Sequence, residues 1–409
     1  MLEVYQSGLK DFLNFFFLAW RLDFLPKSKW SLLNFIRLSI YPSYTAFGVG
    51  CEVWHLIGQM EDYSDLIHVA FATTIAIGFS QTLMIYALIN VHNKDRIIAI
   101  FDYFEQLLAS KDNLISEIRT KFYEKNMKIA HYCARYFLSG TFICWIGIVS
   151  FCMYLSGYSS PMLFTIPGLP RENFFFYPVN IVYQASLFFI GFELLMSSDV
   201  IIMIIIVLFQ SEQESIANLI SSLENREIAK KQGDEILRKV FDIHLSLSEQ
   251  AKEMTQSFWY IYIMKLLLIM MYLCSMFLTF QDISEVPIAG ILSILVMTGE
   301  TCILCYFGEM LKTSSDFMLE SMYMTKWYEM NLKNQKTMLI MMTRFFLPMK
   351  VETFGFGTIS LYTFVQSSSD SFTYSMTYCS LKMFIWHKII HLLVLFSLAK
   401  KEISKCSQY

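Results

Sequence analysis

The sequence predicts an all-α integral membrane protein with seven transmembrane helices, a cytoplasmic amino terminus and a small cytoplasmic helical domain. Hydrophobic residues make up 55% of the 409 residues and charged residues only 16%, whereas soluble proteins carry about 25% charged residues. Long apolar stretches recur along the chain, and lysine and arginine are concentrated in alternate connections between them. This composition argues against a soluble enzyme, a nucleic-acid-binding protein and a disordered chain.

Seven stretches are long and apolar enough to be membrane spans, since a helix needs about 20 such residues to cross a bilayer. The stretch 67–89, for example, contains no Asp, Glu, Lys or Arg. The predicted spans are 38–57, 67–89, 136–154, 178–209, 259–280, 288–307 and 353–378.

The distribution of basic residues predicts the orientation of these spans. The connections 1–37, 92–135, 210–258 and 308–352 each carry five to eight lysines and arginines, whereas the alternate connections contain only Arg171. Because positively charged segments stay in the cytoplasm, the amino terminus is predicted to be cytoplasmic. A G-protein-coupled receptor has the opposite orientation, and the chain lacks DRY-like and NPxxY-like elements, so that class is the less favoured alternative.

The fourth apolar stretch predicts helices that extend below the membrane. Its 32 residues form a helix of about 48 Å, while the hydrocarbon layer is about 30 Å thick. Apolar residues at helical spacing continue the pattern past its end and precede the fifth span. They are Ile216, Leu219, Ile220 and Leu223, and then Ile236, Val240, Ile243 and Leu247. Such stripes need partners, which predicts a small helical domain in the cytoplasm.

Charged residues interrupt the apolar helices at a few positions. Glu193 and Lys265 lie at nearly equal depth, roughly 8–9 Å above the inner face, which predicts an ion pair between them. The alternatives are a purely structural pair or a lysine that extends to the interface. Asp199 is expected near the solvated inner boundary, and Glu300 lies deep in span six without an assigned partner.

The sequence contains no residues that indicate catalysis. HExxH and GxSxG motifs are absent, and His387 and His391 have the spacing of a helical metal pair but no acidic third ligand nearby. We therefore predict neither an enzyme nor a cofactor or metal site.

Short motifs occur in a fixed order in the last third of the chain. They are CYFGE at 305–309, Ser315, Tyr323 and Trp327, MTRFFLP at 342–348 with Arg344 and Pro348, Thr353 and Gly355, and FGTISLYTF at 356–364. Looser matches precede them at Leu169-Pro170, Tyr177-Pro178, Tyr183 and Gln184. In these residues the chain resembles the insect odorant receptors, densely over 300–373 and loosely over 30–300.

The resemblance implies a subunit of an odorant-gated, non-selective cation channel, a heterotetramer formed with a shared coreceptor in the cell membrane of olfactory sensory neurons. The implied partners are a small volatile apolar odorant, the coreceptor and membrane lipids, with no nucleic acid. A gustatory-type receptor that forms homotetramers is the alternative. The implied division of the chain is a cytoplasmic segment 1–37, a ligand-binding bundle with cytoplasmic extensions 38–307, an anchor segment 308–352, a pore helix 353–378 and an atypical tail 379–409.

The resemblance places the odorant pocket among spans two to six, in their outer halves. A pocket for an apolar ligand needs aromatic and aliphatic walls with few polar groups. Residues of those types at helical spacing are usually bundle core, which is the alternative for each of them. The predicted ligand-binding residues are His68, Phe71, Thr74, Thr141, Trp145, Ile148, Tyr183, Ser186, Phe189, Tyr272, Met276, Ile291 and Leu295.

A polar cluster in the otherwise apolar last span predicts the pore lining. Polar side chains are costly in lipid but favourable where they face water at a symmetry axis; helix packing is the alternative explanation. The predicted pore-lining residues are Gln366, Ser367, Asp370, Ser371 and Tyr374. The resemblance ends near residue 378, so the tail is expected to be an eighth span, a loose extension or a gene-model artefact.

Overall fold

The computed structural model describes residues 39–58, 66–110, 114–155, 164–282, 288–353, 357–363 and 365–366. Within these helices, the side chains of 66–71, 90, 141, 155, 274–282 and 288–297 are not described. The predicted cytoplasmic segment 1–37, the tail 379–409 and most of the predicted pore helix lie outside the described residues.

The described residues form a helical bundle. Its helices are α1 (Tyr41–Gly58), α2 (Leu66–Ala87), α3 (Lys94–Ala109), α4 (Ser116–Leu155), α5 (Phe176–Ser221), α6 (Arg226–Asp282), α7 (Ile288–Met324) and α8 (Leu332–Phe345). A π-helical segment, Leu88–His92, joins α2 to α3, and 3-10 turns follow α5 and precede α8. Two short strands, β1 (Glu352–Thr353) and β2 (Gly357–Thr358), pair in antiparallel orientation.

Length and hydropathy identify the membrane-spanning helices. Among the described residues, three helical ranges are long and apolar enough to cross a bilayer: Ser116–Tyr154, Phe176–Glu224 and Arg226–Leu273. They contain the third and fourth predicted spans and the fifth as far as residue 273. A shorter apolar helix, Ala72–Ala87, falls within the second. The prediction of an all-α membrane protein is confirmed.

Helix α5 forms the centre of the bundle. Every residue from 194 to 213 is buried, and the helix packs along α4 and α7. A helix that is hydrophobic on all sides needs neighbours on all sides, which explains the unbroken run IIMIIIVLF at 201–209.

The structure contains the predicted helical extensions of the fourth and fifth spans, and their place in the cytoplasm stays a prediction. Helix α5 continues to Ser221, and α6 begins at Arg226, far before its membrane span. The structure adds helices in segment 92–135, for which the sequence predicts only a charged connection. In α3 the apolar residues Ile97, Ile100 and Phe104 are buried at steps of three and four, so its charged residues are the outer face of an amphipathic helix.

The chain after α8 is attached to α7 through residues of the motifs. The backbone N–H of Met349 donates to Oγ of Ser315 at 3.0 Å. A Cβ on Gly308 would lie 2.6 Å from the carbonyl oxygen of Ile359, so the glycine permits close approach of the two backbones. The predicted start of the seventh helix at residue 353 was wrong. Strands β1 and β2 lie at this point of the chain, and the helix begins only at Leu361.

Candidate functional site

A small cavity lies between α2, α4, α5 and α6 inside the bundle. Its volume is about 60 Å³, which is room for a few water molecules, so a larger ligand enters only if the side chains of the lining move apart. It is lined by Thr74, Ile75, Gly78, Phe79, Thr82, Ile148, Phe188, Gly191, Phe192, Leu195, Leu268 and Tyr272. We call this space the bundle cavity.

The lining of the bundle cavity is apolar and uncharged. The rings of Phe79 and Phe188 pack at an angle of 53° with their centroids 5.3 Å apart. The polar side-chain groups of the lining are three hydroxyls, on Thr74, Thr82 and Tyr272. The Thr82 hydroxyl donates to the Gly78 carbonyl at 2.9 Å. Such a surface suits a neutral ligand that is mainly apolar, because an unpaired charge buried there would lose its hydration without compensation.

Three of the predicted ligand-binding residues line the bundle cavity: Thr74, Ile148 and Tyr272. They come from α2, α4 and α6, so helices far apart in the sequence meet as the prediction requires. Their membership in a binding site stays a prediction.

Four other predicted residues lie nearer the start of α5 and join helices to one another. The indole N–H of Trp145 donates to the Ala185 carbonyl at 2.8 Å, and Phe189, which is 41% exposed, packs edge-on against Trp145. The hydroxyls of Ser186 and Tyr44 lie 2.5 Å apart. The Tyr183 hydroxyl donates to the Tyr44 carbonyl at 3.0 Å. These contacts connect α1, α4 and α5 outside the cavity lining.

The remaining predicted residues cannot be placed against the cavity, because their side chains are outside the described set. They are His68, Phe71, Thr141, Met276, Ile291 and Leu295. Among the predicted pore residues, Gln366 is helical and exposed. Ser367, Asp370, Ser371 and Tyr374 lie outside the described residues.

A cluster of three charged residues lies directly beside the bundle cavity. The ammonium group of Lys265 donates to the Asp199 carboxylate, to Oε1 of Glu300 at 3.0 Å and to the Leu195 carbonyl at 3.1 Å. Lysine has three N–H donors, and these oxygens accept all three. Leu195 also lines the cavity, and Leu268 lies about one turn from Lys265 on α6. We call Lys265, Asp199 and Glu300 the charge cluster.

The predicted pair between Glu193 and Lys265 was wrong. Lys265 pairs with Asp199 and Glu300, and Asp199, expected near solvent, is buried. Equal depth of Glu193 and Lys265 in the membrane does not show that Glu193 lies on the face of α5 that is turned towards Lys265. Glu193 and Asp199 are six residues apart, so their side chains leave α5 in directions that differ by roughly 120°. Oε1 of Glu193 is buried and has no hydrogen-bond partner among the described residues.

A second buried ion pair connects the cytoplasmic ends of the helices. Arg119 of α4 donates from Nε and Nη2 to the Glu212 carboxylate of α5 at 2.9 and 2.7 Å. It also donates from Nη1 to the carbonyl of Leu107, in the last turn of α3, at 2.9 Å. The Tyr103 and Ser246 hydroxyls lie 2.8 Å apart and join α3 to α6; burial raises the pKa of the Tyr103 phenol, so it remains protonated. These contacts hold the cytoplasmic helices in one unit.

Sequence reasoning missed the deeper part of the cavity lining. Phe79, Phe192, Leu195 and Leu268 lie about one to two turns nearer the cytoplasmic side than the residues chosen on the same helices, and Phe188 lies between the chosen Ser186 and Phe189. The sequence does contain a pattern that indicates these residues, because positions 74, 75, 78, 79 and 82 fall on one face of α2. The prediction of a pocket in the outer halves of the helices therefore excluded the deeper lining residues on α2, α5 and α6.

Comparisons with known proteins agree with this architecture. The sequence profile of the family described as 7tm Odorant receptor matches residues 66–369, a range that contains all the motifs named above. The structure of the insect olfactory receptor OR5 from Machilis hrabei in complex with eugenol superposes with a TM-score of 0.76 at 12% identity, covering 93% of this chain and 99% of that chain. A second structure of that receptor gives 0.75 at 12% identity, with 91% and 98% covered. A search of curated proteins finds no match.

Proposed function

The chain belongs to the 7tm odorant receptor family, and on this premise we propose that it is the odorant-binding subunit of a heteromeric, ligand-gated, non-selective cation channel. Family and fold make it a multi-pass membrane receptor of the odorant-sensing channel type. The proposal adds its role as ligand-binding subunit, its coreceptor partner and its place in the cell membrane of olfactory sensory neurons.

The bundle cavity is the observation that carries this proposal. Its walls are aromatic and aliphatic, no charged side chain lines it, and its polar groups are hydroxyls. A volatile odorant has the same character, being small, neutral and mainly apolar, and its burial is driven by the removal of apolar surface from water. The structurally similar receptor from Machilis hrabei was determined with eugenol, a small neutral aromatic molecule that is consistent with this ligand class.

The helices that line the cavity offer a route from ligand binding to gating. Helices α5 and α6 line the cavity and continue without interruption into the cytoplasmic unit. A ligand shifts a conformational equilibrium only by binding one state more tightly than the other. We infer that an odorant favours the arrangement of α5 and α6 that belongs to the open channel, and that these long helices carry the movement to the cytoplasm.

An exposed apolar surface supports assembly with other subunits. Leu332, Leu339 and Ile340 of α8 are between 48% and 68% exposed, and Tyr328 before the helix is 63% exposed. Large apolar side chains clustered on a surface mark interaction sites more often than they remain in water. This surface belongs to the predicted anchor segment 308–352, which we propose joins the subunits.

Electrical recording with and without the coreceptor tests the proposal. Cells that express this chain together with the coreceptor are exposed to a panel of neutral volatile compounds, and the inward current is measured. We expect odour-evoked current from the pair and none from this chain alone. G-protein signalling without current would contradict the channel function.

A gustatory-type homotetrameric channel is the second candidate function. The same recording separates the two, because odour-evoked or tastant-evoked current from this chain expressed alone would support the homotetramer. The motifs at 305–309 and 323–327, which resemble those of odorant receptors, favour the first candidate.

A further inference from the structure

A second cavity, with basic walls, lies in the cytoplasmic part of the protein. Its volume is about 510 Å³, and it separates the cytoplasmic half of α6 from the end of α8 and the segment that follows. It is lined by Phe241, His244, Leu245, Ser248, Ala251, Lys252, Thr255, Gln256, Arg344, Leu347, Pro348, Met349, Lys350 and Glu352. Two of the motif residues that the proposed function leaves unexplained, Arg344 and Pro348, belong to this lining.

The charge of this basic cavity is only partly neutralised. Glu352 pairs with Lys350 at 2.6 Å, which leaves Lys252 and Arg344 as an excess of two positive charges in the lining. Among the described residues, neither of these two side chains forms an ion pair. Hydroxyl and amide groups of Ser248, Thr255 and Gln256 complete the polar wall. The combination of cations with hydrogen-bonding groups suits a phosphate-bearing ligand.

The position of the basic cavity places it just below the inner leaflet. Lys252 is seven residues before the predicted span at 259, which is about 10 Å along the helix. Ser315, which holds Met349 of the lining, is eight residues after the predicted end of span six, or about 12 Å. The headgroup layer is only about 5–8 Å thick on each side of the hydrocarbon. Thr255 and Gln256 therefore reach the headgroup level, and the two bases lie slightly beyond it.

Two large, exposed apolar side chains lie at the basic cavity, Leu347 in its lining and Phe346 next to it in the chain. Phe346 is 75% exposed and Leu347 is 74% exposed, on the turn that carries Pro348. Basic side chains next to exposed aromatic and aliphatic ones are characteristic of surfaces that bind an anionic membrane.

We propose that the basic cavity binds the headgroup of a phosphorylated inositol phospholipid of the inner leaflet. An ordinary phospholipid headgroup ends above the level of Lys252 and Arg344, whereas a phosphorylated inositol ring extends further from the membrane and carries several negative charges. Its ring phosphates accept hydrogen bonds from Arg344 and Lys252, and Thr255 and Gln256 bind the groups nearer the bilayer. The lipid joins α6 to the chain that leads into the seventh span.

Binding of a short-chain lipid to the purified protein tests this proposal. The full-length chain in mild detergent is titrated with fluorescent dioctanoyl phosphatidylinositol bisphosphate, and the dissociation constant is measured. We expect Lys252→Gln and Arg344→Gln each to weaken binding about fivefold, the usual effect of one basic residue near an anionic lipid, and the double variant about 25-fold. Lys230→Gln is the matched control, because Lys230 is an exposed lysine of the same helix roughly 33 Å further along it.

Competition experiments identify the source of the phosphate. Soluble inositol trisphosphate and dioctanoyl phosphatidylserine are expected to displace the labelled lipid only at concentrations at least tenfold higher than the unlabelled lipid. Equal competition by inositol trisphosphate would overturn the lipid assignment in favour of a soluble ligand. Equal competition by phosphatidylserine would overturn the need for a phosphorylated ring.

Size-exclusion chromatography of the same variants separates lipid binding from subunit contact. A double variant that elutes like the wild type and binds the lipid with wild-type affinity overturns the proposal. A change of oligomeric state with unchanged lipid binding also overturns it, and assigns the basic cavity to a subunit interface. The charge-preserving variants Lys252→Arg and Arg344→Lys are expected to bind the lipid with a dissociation constant within about threefold of the wild type. This result would show that the glutamine variants lose affinity because they lose the charge and not because they misfold.

Discussion

The ammonium group of Lys265 lies 3.0 Å from Oε1 of Glu300 and joins α6 to α7 inside the bundle. Asp199 on α5 is the second carboxylate of the charge cluster, so three helices meet at one cation. The side chains are 2–6% exposed. Because Leu195 accepts a hydrogen bond from the same ammonium group and lines the bundle cavity, the cluster connects the proposed odorant site to the helix packing below it.

Replacement of Lys265 by methionine is expected to destabilise the protein by about 3–5 kcal/mol, since two buried carboxylates then lose their cation. The measurement is thermal unfolding of the purified protein in detergent. Lys230→Met, a lysine to methionine change at an exposed position of the same helix, is the control and should change stability by less than about 0.5 kcal/mol.

A double-mutant cycle distinguishes the pair from a packing effect. Removing Glu300 by Glu300→Gln in the Lys265→Met background should cost less than in the wild type, because the carboxylate no longer has a partner there. Strictly additive losses would show that Lys265 and Glu300 do not interact.

The Arg119–Glu212 pair gives a second prediction, for the cytoplasmic unit. Glu212→Gln removes the charge that Nε and Nη2 of Arg119 contact at 2.9 and 2.7 Å, and leaves a buried arginine without its anion. We expect the free energy of unfolding to fall by about 3–5 kcal/mol. Lys125→Gln removes the partner of Glu214 in a longer, more exposed pair at 3.7 Å, and its expected cost is below about 1 kcal/mol. Similar losses for the two variants would contradict this ranking.

The glycine of the 305–309 motif gives a third prediction. Gly308→Ala places a Cβ 2.6 Å from the Ile359 carbonyl oxygen, and a backbone atom cannot turn away as a side chain can. The expected loss of stability is about 1–3 kcal/mol. Gly299→Ala is the matched control on the same helix, because a Cβ there has no described heavy atom within 4 Å. If both alanines are tolerated equally, close approach does not explain the motif glycine.

The absence of charge from the cavity lining predicts the ligands that fail to activate the protein. An ionised carboxylate analogue of an active neutral odorant should be at least about 100-fold less potent, because the cavity provides no cation to offset the lost hydration. Concentration–response curves of the current at neutral pH measure this ratio. Equal potency of the two compounds would place the binding site elsewhere.

The broad architecture follows from the sequence because it depends on long patterns. Twenty apolar residues in succession predict a span, and the stripe Ile216, Leu219, Ile220 and Leu223 predicts the helix that α5 continues. Charge patterns were less informative for segment 92–135. Its basic residues predict that the segment is cytoplasmic, but they gave no indication of helix α3. The buried stripe of this helix contains only Ile97, Ile100 and Phe104.

Contacts between helices were the part that the sequence did not determine. Depth along a helix can be counted from the sequence, and this count placed Glu193 and Lys265 at one level. The rotation of α5 about its axis cannot be counted in this way, and in the structure it turns Asp199 towards Lys265. The lining of the bundle cavity also depends on how the helices pack against one another. Thr74, Ile148 and Tyr272 were chosen, while Gly191 and Phe79 became neighbours only through packing of α2 against α5.

The most direct test of the central claim is an odour concentration–response measurement on Gly191→Ala in cells that also express the coreceptor. A Cβ at residue 191 would lie 2.8 and 3.1 Å from ring carbons of Phe79, so the ring must shift, and both residues line the bundle cavity. Gly140→Ala on α4 is the control, because a Cβ there has no described heavy atom within 4 Å. We expect a rise of about tenfold in the half-maximal odorant concentration for Gly191→Ala, equivalent to about 1.4 kcal/mol, and no change for the control. Unchanged responses of the well-expressed Gly191→Ala channel to every active odorant would contradict the assignment of this cavity as the odorant site.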